Sequence, residues 1–266
     1  MTAAVESLLH QLTSARIYDL GQPYFVGMPH HPMHPPYLFS LTKMHGEYVG
    51  PNGASSASES LGLSGHLGTH IDALCHVSFG GKLHGGHPVK DIQSYAGGLE
   101  QLSADTLAPI VRRGILLDIA GQQGVRSLPA DFEIAPQHME AAAHAHGVNI
   151  KEGDVVLLRT GWGAFFEDAA RFESRLHGPG PGEEGARWLS ARKIFAAGAD
   201  TLSFEIVPSR AMPAHVHLLV ESGIHIIECL NLEQLAADRV YEFAFMASPL
   251  KIRGATGSPI RPMALA

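Results

Sequence analysis

The segment SGHLGTHIDALCH, residues 64–76, places His66, His70, Asp72 and His76 close together in the chain. Imidazole and carboxylate groups bind metal ions, and burying either group without a partner costs free energy. A helix would put His66 and His70 on one face but would point Asp72 about 200° away from His70. The glycines of this segment also disfavour a helix. A different backbone conformation must therefore bring these groups together.

In an extended chain, these four side chains lie on one face because their numbers are all even. On a straight strand, however, His66 and His70 would be roughly 13 Å apart at about 3.3 Å per residue, which is too far for one ion. We therefore predict a bend at Gly68, where a residue without a Cβ atom turns most easily. The bend would direct two imidazoles and one carboxylate at one point, which suits Zn²⁺ or Mn²⁺. The alternative is a set of structural histidines satisfied by hydrogen bonds.

A second group of candidate ligands lies in MPAHVHLLVESGIHIIECLNL, residues 212–232. Glu228 falls in an apolar predicted strand, where an unpaired carboxylate is costly, and no lysine or arginine is close to it in sequence. One candidate partner is a metal ion, which His215 or His217 could also reach. The other is a salt bridge to a distant arginine such as Arg159 or Arg253. The metal alternative predicts that Glu228 and the aspartate of the first segment meet at one centre.

The rest of the chain alternates between strand-like and helix-like patterns, which is typical of an α/β fold. Strands are predicted over apolar runs at 114–121, 154–162, 201–207 and 223–232. Helices are predicted over 136–146 and 183–197, each followed by a glycine. Loops are predicted over the proline-rich stretch 22–36 and the Gly/Pro stretch 177–185, with an irregular tail at 251–266. Composition does not change along the chain, and we expect a single domain over 1–266.

Composition narrows the classes of function. The 266 residues are 45% hydrophobic and carry a net charge of −7, so the chain lacks the basic surface that binds nucleic acid. The first residues do not resemble a secretory signal, and no apolar run is long enough to span a membrane, so we expect a cytoplasmic protein. Histidine is frequent, with 17 residues. Those of the proline-rich loop, His34 among them, are individually interpreted as structural.

The stretch His66-Leu-Gly-Thr-His70-Ile-Asp72-Ala-Leu74-Cys-His76 resembles the signature H-x-G-T-H-x-D-x-P-x-H of the cyclase-like metal-dependent hydrolases. This family includes bacterial kynurenine formamidases and isatin hydrolases. Only the proline of the signature differs, and Leu74 occupies its position. The resemblance covers most of the chain, from YDLGQP to the PAH…IIE segment. It implies a swivelling β/β/α-type fold with a mixed sheet, a homodimer or larger homo-oligomer, and one or two divalent metal ions.

The resemblance also implies roles for individual residues. The implied metal ligands are His66 and His70 for a first ion, His215 for a second ion, and Asp72 and Glu228 as bridges between the two. His217 remains a weaker candidate for the position of His215. His76 corresponds to the catalytic acid/base of the family.

The implied reaction is hydrolysis of an amide-type C–N bond in an N-formyl arylamine or a cyclic amide. A divalent ion lowers the pKa of its bound water to roughly 7 and supplies hydroxide, while His76 protonates the departing atom. Kynurenine formamidases carry a P-V-W-P stretch with a substrate-stacking tryptophan, whereas this chain has Pro29-His30-His31-Pro32. We therefore expect His31 to contact the small-molecule substrate and kynurenine to be disfavoured. The alternatives are a lactone-opening or other ring-opening or ring-closing cyclase, and a metal-binding protein without catalysis.

Overall fold

The computed structural model describes residues 2–209 and 211–266. The strands are β1 (Ile17–Asp19), β2 (Leu38–Lys43), β3 (Ser58–Gly62), β4 (His70–Asp72), β5 (Gln93–Ser94), β6 (Gly98–Leu99), β7 (Ile110–Asp118), β8 (Val155–Arg159), β9 (Ala196–Ala199), β10 (His225–Glu228), β11 (Glu242–Ala247), β12 (Gly257–Pro259) and β13 (Met263–Leu265). The helices are α1 (Ala3–Ser14), α2 (Ile119–Gln122), α3 (Pro136–His146), α4 (Ala169–Glu173), α5 (Glu183–Ser190), α6 (Pro213–His215) with its π-helical continuation Val216–Ser222, and α7 (Glu233–Ala237). Among the described helices, none has both the length and the apolar character that crossing a bilayer requires.

Nine strands form one sheet in the order β1-β13-β11-β7-β8-β9-β10-β4-β12. Strands β7, β8, β9 and β10 run parallel to one another, and antiparallel strands extend the sheet on both sides. Every residue of β8, which reads VVLLR, is buried, as expected for a strand covered on both faces. The predicted α/β class with a mixed sheet is therefore confirmed.

Alternate side chains of the sheet enter two different cores because successive residues of a strand point to opposite faces. Ile115 and Leu117 of β7 belong to the core that includes side chains of α3, α5 and the π-helix. Leu116 belongs to the core on the other face, together with Phe243 and Phe245 of β11. The parallel strands that lead to the candidate site are therefore packed from both faces.

Several predicted elements are confirmed. The helix over 136–146 is α3, and Gly147 ends it in the left-handed conformation with a φ of +67°. The strands predicted over 114–121, 154–162 and 223–232 correspond to β7, β8 and β10, with different ends. The ends differ because apolar runs in the sequence continue into turns and short helices.

Two predictions in the second half of the chain are wrong. The helix predicted over 183–197 ends at Ser190, because Ala196–Ala199 form β9 between β8 and β10. Pairing within the sheet overrides the high helix propensity of alanine here. The tail 251–266, predicted as irregular, contributes β12 and β13 to the main sheet. Strand β12 pairs with β4, so the tail reaches the histidine-rich segment.

The strand predicted over 201–207 is also wrong, because this stretch forms bends. The carboxylate of Glu205 accepts hydrogen bonds from the backbone N–H groups of Ala214 and His215. Glu205 therefore connects the stretch 201–207 to the start of α6 by hydrogen bonds, and the stretch does not pair as a strand of the main sheet.

The predicted bend lies at Gly68, whose φ of +58° is in the left-handed region. It brings the ring centroids of His66 and His70 to 5.2 Å, compared with the roughly 13 Å expected for a straight strand. A Cβ atom at Gly68 would lie 2.8 Å from Cζ of Tyr24 and 3.0 Å from Cε of Met28. The bend therefore requires glycine both for its backbone conformation and for the space around it.

Gly68→Ala is expected to lower the free energy of unfolding by more than the roughly 1–2 kcal/mol that a left-handed conformation costs an L-residue. The additional loss comes from the collision of the new methyl group with Tyr24. Gly124→Ala is the matched control, because Gly124 has a φ of +70° but nothing within 4 Å of its Cβ position. Urea unfolding measures both variants. If Gly68→Ala and Gly124→Ala lose the same free energy of unfolding, the collision with Tyr24 does not contribute.

Candidate metal centre and active site

Two adjacent strands and one helix bring the candidate ligands together. In the antiparallel pair β4–β10, His70 lies opposite Glu228, and Asp72 lies opposite Ile226. His215 is the last residue of α6. Asp72, His215 and Glu228 each offer a ligand atom within 4.8 Å of the others, and all three residues are buried. The two carboxylates that the sequence predicts to meet are therefore close together.

Asp72 also belongs to a second group of potential ligands. His66, Asp72 and His76 offer ligand atoms that lie within 4.8 Å of one another. Nδ1 of His66 is 2.8 Å from Oδ1 of Asp72, and the ring centroids of His66 and His76 are 3.9 Å apart. Asp72 thus lies where the two groups meet, which is the position that a bridging ligand needs.

Two buried atoms at the centre of these groups, Nε2 of His70 and Oδ2 of Asp72, have no hydrogen-bond partner among the described residues. Nδ1 of His70 donates to the carbonyl oxygen of Gly68 at 2.8 Å, so Nε2 carries the lone pair whenever the ring is neutral. Nε2 faces Oδ1 of Asp72 at 3.5 Å and Oε2 of Glu228 at 3.4 Å without a hydrogen bond to either. Oδ2 of Asp72 is also buried without a partner among the described residues. This convergence of unshared lone pairs fits a bound cation.

The electrostatics of the cluster favour a positive charge. Burial alone would lower the pKa of the His70 and His215 imidazoles, but the neighbouring carboxylates outweigh burial and raise each pKa to about 10. Burial would raise the pKa of the Glu228 carboxyl, but the nearby imidazoles of His215 and His70 outweigh burial and hold that pKa below its usual range. A divalent ion can replace the protons that these carboxylates attract. The imidazole and carboxylate donors therefore suit such an ion.

His76 differs from these histidines in its charge. Burial lowers the pKa of its imidazole to about 4, and the nearby Asp72 carboxylate only partly offsets this effect. The ring is therefore neutral near pH 7 and can accept a proton. His76 borders the same cavity as His215 and Glu228, which places a proton acceptor at the edge of the candidate metal centre.

His217, the weaker candidate ligand, makes its contacts outside this centre. Its Nδ1 donates to Oε2 of Glu221 at 2.6 Å, and its Nε2 is 2.7 Å from Oγ of Ser190. Both ring nitrogens are therefore engaged by other side chains. His215 is the histidine that the structure brings to Glu228, with Nε2 3.2 Å from Oε1.

A salt bridge between Glu228 and a distant arginine is excluded for the two arginines considered. Arg159 pairs with Asp118 and Glu233 at 2.8 Å each. Arg253 is exposed, whereas Glu228 is buried. Within the part of the chain that the structure describes, the side chains that pair with the Glu228 carboxylate are the imidazoles of His70 and His215, which fits a metal ligand.

A cavity of about 340 Å³ lies beside the centre. Its lining combines imidazoles with apolar side chains, among them His31, His76, Trp162, Phe172 and Leu202. His31, predicted from the sequence to contact substrate, lies in this lining. The cavity has room for a small molecule with an apolar part.

Two residues near the centre were not identified from the sequence. The ring of His34 stacks on His66 with centroids 5.0 Å apart, and it lies 6.4 Å from the ring of His76. The proline-rich loop gives no periodicity that would separate His34 from an exposed histidine. Glu205 accepts from the backbone N–H of His215 at 3.1 Å, and its Oε2 is 3.3 Å from Nδ1 of that ring. Glu205 could have been found from the sequence, because it is a carboxylate within the apolar run SFEIV, the same kind of pattern that identified Glu228.

The mixed sheet, with a buried group of imidazoles and carboxylates beside an apolar cavity, defines the chain as a candidate metal enzyme. The family described as putative cyclase matches residues 18–206, and the chain belongs to that family. The matched part contains His66, His70, Asp72 and His76. The other two residues of the Asp72–His215–Glu228 group, His215 and Glu228, lie beyond the matched part.

Similar proteins include two hydrolases. An isatin hydrolase of Roseibium aggregatum is 28% identical over 211 residues, which are 76% of this chain and 72% of that protein. A kynurenine formamidase of Bordetella petrii is 25% identical over 250 residues, which are 92% and 96% of the two chains. The crystal structure of a novel cyclase matches with a TM-score of 0.89 at 27% identity and covers 100% of this chain and 92% of its own. The fold and family predicted from the sequence are confirmed, and these relatives support amide-type hydrolysis.

His215→Ala and His217→Ala form a matched pair that tests which histidine serves the metal centre. His215→Ala is expected to weaken Zn²⁺ binding by more than the roughly 10–100-fold that the loss of an outer-sphere partner costs. His217→Ala is expected to keep the wild-type affinity, because its ring is bonded to Glu221 and Ser190. Competition with a chromophoric chelator measures both affinities. A similar loss in the two variants would show that the centre has been assigned to the wrong histidine.

Proposed function

We propose that the protein is a divalent-metal-dependent hydrolase that cleaves an amide-type C–N bond in an N-formyl arylamine or a cyclic amide. The observation that carries the proposal is the position of Asp72, which belongs to both ligand groups and has a buried oxygen without a partner among the residues that the structure describes. His76 borders the adjacent cavity. The similar isatin hydrolase and kynurenine formamidase support the same type of bond.

The residues present fit one or two ions of Zn²⁺ or Mn²⁺. The proposed ligands are His66 and His70 for a first ion, His215 for a second, and Asp72 and Glu228 for both, whereas His76, whose ring also reaches the His66–Asp72 group, is proposed to move the proton. A divalent ion held there would lower the pKa of water and polarise the scissile carbonyl group.

The protein's own side chains handle the proton and the charge. His76 borders the cavity, and its ring is neutral near pH 7, the form that can take a proton from the attacking water. Burial disfavours the resulting imidazolium, which therefore readily delivers the proton to the departing nitrogen. Burial opposes ionisation of Asp72, but the surrounding histidines outweigh it and hold the carboxyl pKa well below its usual range. The ionised carboxylate therefore stays available to a cation. Trp162 and Phe172 exclude water from the cavity and contact the hydrocarbon part of the substrate.

Metal analysis of the purified protein, followed by a substrate panel, tests this proposal. The panel contains N-formyl arylamines, isatins, lactams and lactones, each assayed with the metal found. Hydrolysis of lactones alone would favour the alternative of a lactone-opening cyclase. A protein that binds metal but turns over no member of the panel would favour metal binding without catalysis.

His76→Ala is expected to reduce kcat/KM by roughly 10²- to 10⁴-fold, the usual contribution of a general acid or base. Metal content should stay at the wild-type level if His76 moves protons rather than binding the ion. Asp72→Asn is the comparison, and it should lose metal and activity together, because Asp72 belongs to both ligand groups. Metal content and hydrolysis are measured on the same preparations. Loss of metal in His76→Ala to the extent seen in Asp72→Asn would make His76 a ligand instead.

His31→Trp and His31→Ala are expected to change the relative kcat/KM values across the substrate panel, because His31 borders the cavity. His10→Trp is the matched control, since His10 is exposed on α1. It should leave the order of substrates unchanged. If both His31 variants keep the wild-type order, the proline-rich loop does not select the substrate.

A further inference from the structure

We propose that Thr256 is a positioning residue that orients the imidazole of His66 for metal binding. The inference rests on the proposed function, because it concerns how one proposed ligand is held. Thr256 lies in the C-terminal tail, 190 residues away from His66 in sequence. Nothing in the histidine-rich segment itself points to it.

Both ring nitrogens of His66 face an oxygen. Nδ1 is 2.8 Å from Oδ1 of Asp72, and Nε2 is 2.8 Å from Oγ1 of Thr256. A neutral imidazole has one N–H group, an ionised carboxylate only accepts, and a hydroxyl can donate or accept. The hydroxyl of Thr256 can therefore serve either tautomer of His66.

The choice of tautomer decides whether His66 can bind a cation beside Asp72. When Nε2 carries the hydrogen and donates it to Thr256, Nδ1 keeps its lone pair on the side of Asp72. The lone pair and the carboxylate oxygen then face each other, and a cation satisfies both. Without the hydroxyl, the Nε2–H group would lose this acceptor in a side chain that is only 7% exposed. Thr256 thus accepts the hydrogen bond from Nε2–H of His66 in the tautomer that binds a metal ion through Nδ1.

The backbone holds the hydroxyl of Thr256 in register with Asp72. The N–H of Ala73, the residue after Asp72, donates to the carbonyl oxygen of Thr256 at 2.9 Å. Gly257, the next residue, lies opposite Asp72 in the β4–β12 pair. A Cβ atom at Gly257 would be 2.6 Å from Cε1 of His66, so the ring rests directly on this backbone. The first residue of β12 and the residue before it therefore both contact the imidazole, Gly257 by close packing and Thr256 through Nε2.

The test compares Thr256→Val, which removes the hydroxyl and keeps the shape, with Thr256→Ser, which keeps the hydroxyl. Zn²⁺ affinity is measured by chelator competition on metal-free protein. Thr256→Val is expected to bind Zn²⁺ roughly 10- to 100-fold more weakly than wild type, as for other outer-sphere partners. Thr256→Ser should restore the affinity to near the wild-type value. The increase in Tm on adding Zn²⁺ should shrink in Thr256→Val and recover in Thr256→Ser.

Thr42→Val is the matched control, because Thr42 is exposed on β2 and its hydroxyl contacts Ser58. Unfolding of the metal-free proteins shows whether each variant is folded, and Thr256→Ala replaces Thr256→Val if the valine variant is not. Wild-type affinity in the variant without the hydroxyl would overturn the proposal. An equal loss in Thr256→Ser would also overturn it, because shape rather than the hydroxyl would then matter. If the wild type itself binds no Zn²⁺ or Mn²⁺, the proposed function fails as well, which distinguishes the two outcomes.

Discussion

The burial of two carboxylates, Asp72 and Glu228, beside each other is the constraint on which the site depends. Two negative charges out of contact with water repel strongly and are costly to desolvate, so the surrounding structure has to balance them. His66 and His70 approach Asp72, and His215 approaches Glu228. The pairing of β4 with β10 fixes the separation of the two carboxylates, because both are carried on neighbouring strands of one sheet. The sheet thus holds two negative charges close together, and the imidazoles leave Oδ2 of Asp72 without a partner among the described residues.

The approach of His66 to His70 could be predicted from the sequence because its geometry is local. Alternation along an extended chain, corrected by a bend at Gly68, was enough to bring His66 and His70 together. The approach of His215 to Glu228 could be predicted only from the types of the residues. His215 and His217 are two residues apart, and the choice between them depends on a π-helix that begins directly after His215. Such a helix has no periodic signature in the sequence.

The remaining features depend on contacts between distant parts of the chain. The AAGA stretch at Ala196–Ala199 looks helical in isolation. It is a strand because it pairs with β8 and β10, and its Gly198 fits there because a Cβ atom would lie 2.8 Å from methyl groups of Leu157 and Leu230. The contact of Thr256 with His66 likewise exists only when β12 pairs with β4. Local propensity carries no information on either contact.

The position of β4 within the sheet has a consequence for the order in which the molecule forms. This strand has three residues, and both of its neighbours, β10 and β12, are contributed by the last part of the chain. During synthesis, the histidine-rich segment leaves the ribosome long before either neighbour exists. Pairings of such large sequence separation form late, because the entropy of closing the intervening chain must be overcome first. The full set of proposed ligands, which includes Glu228 on β10, therefore assembles only when most of the chain has folded.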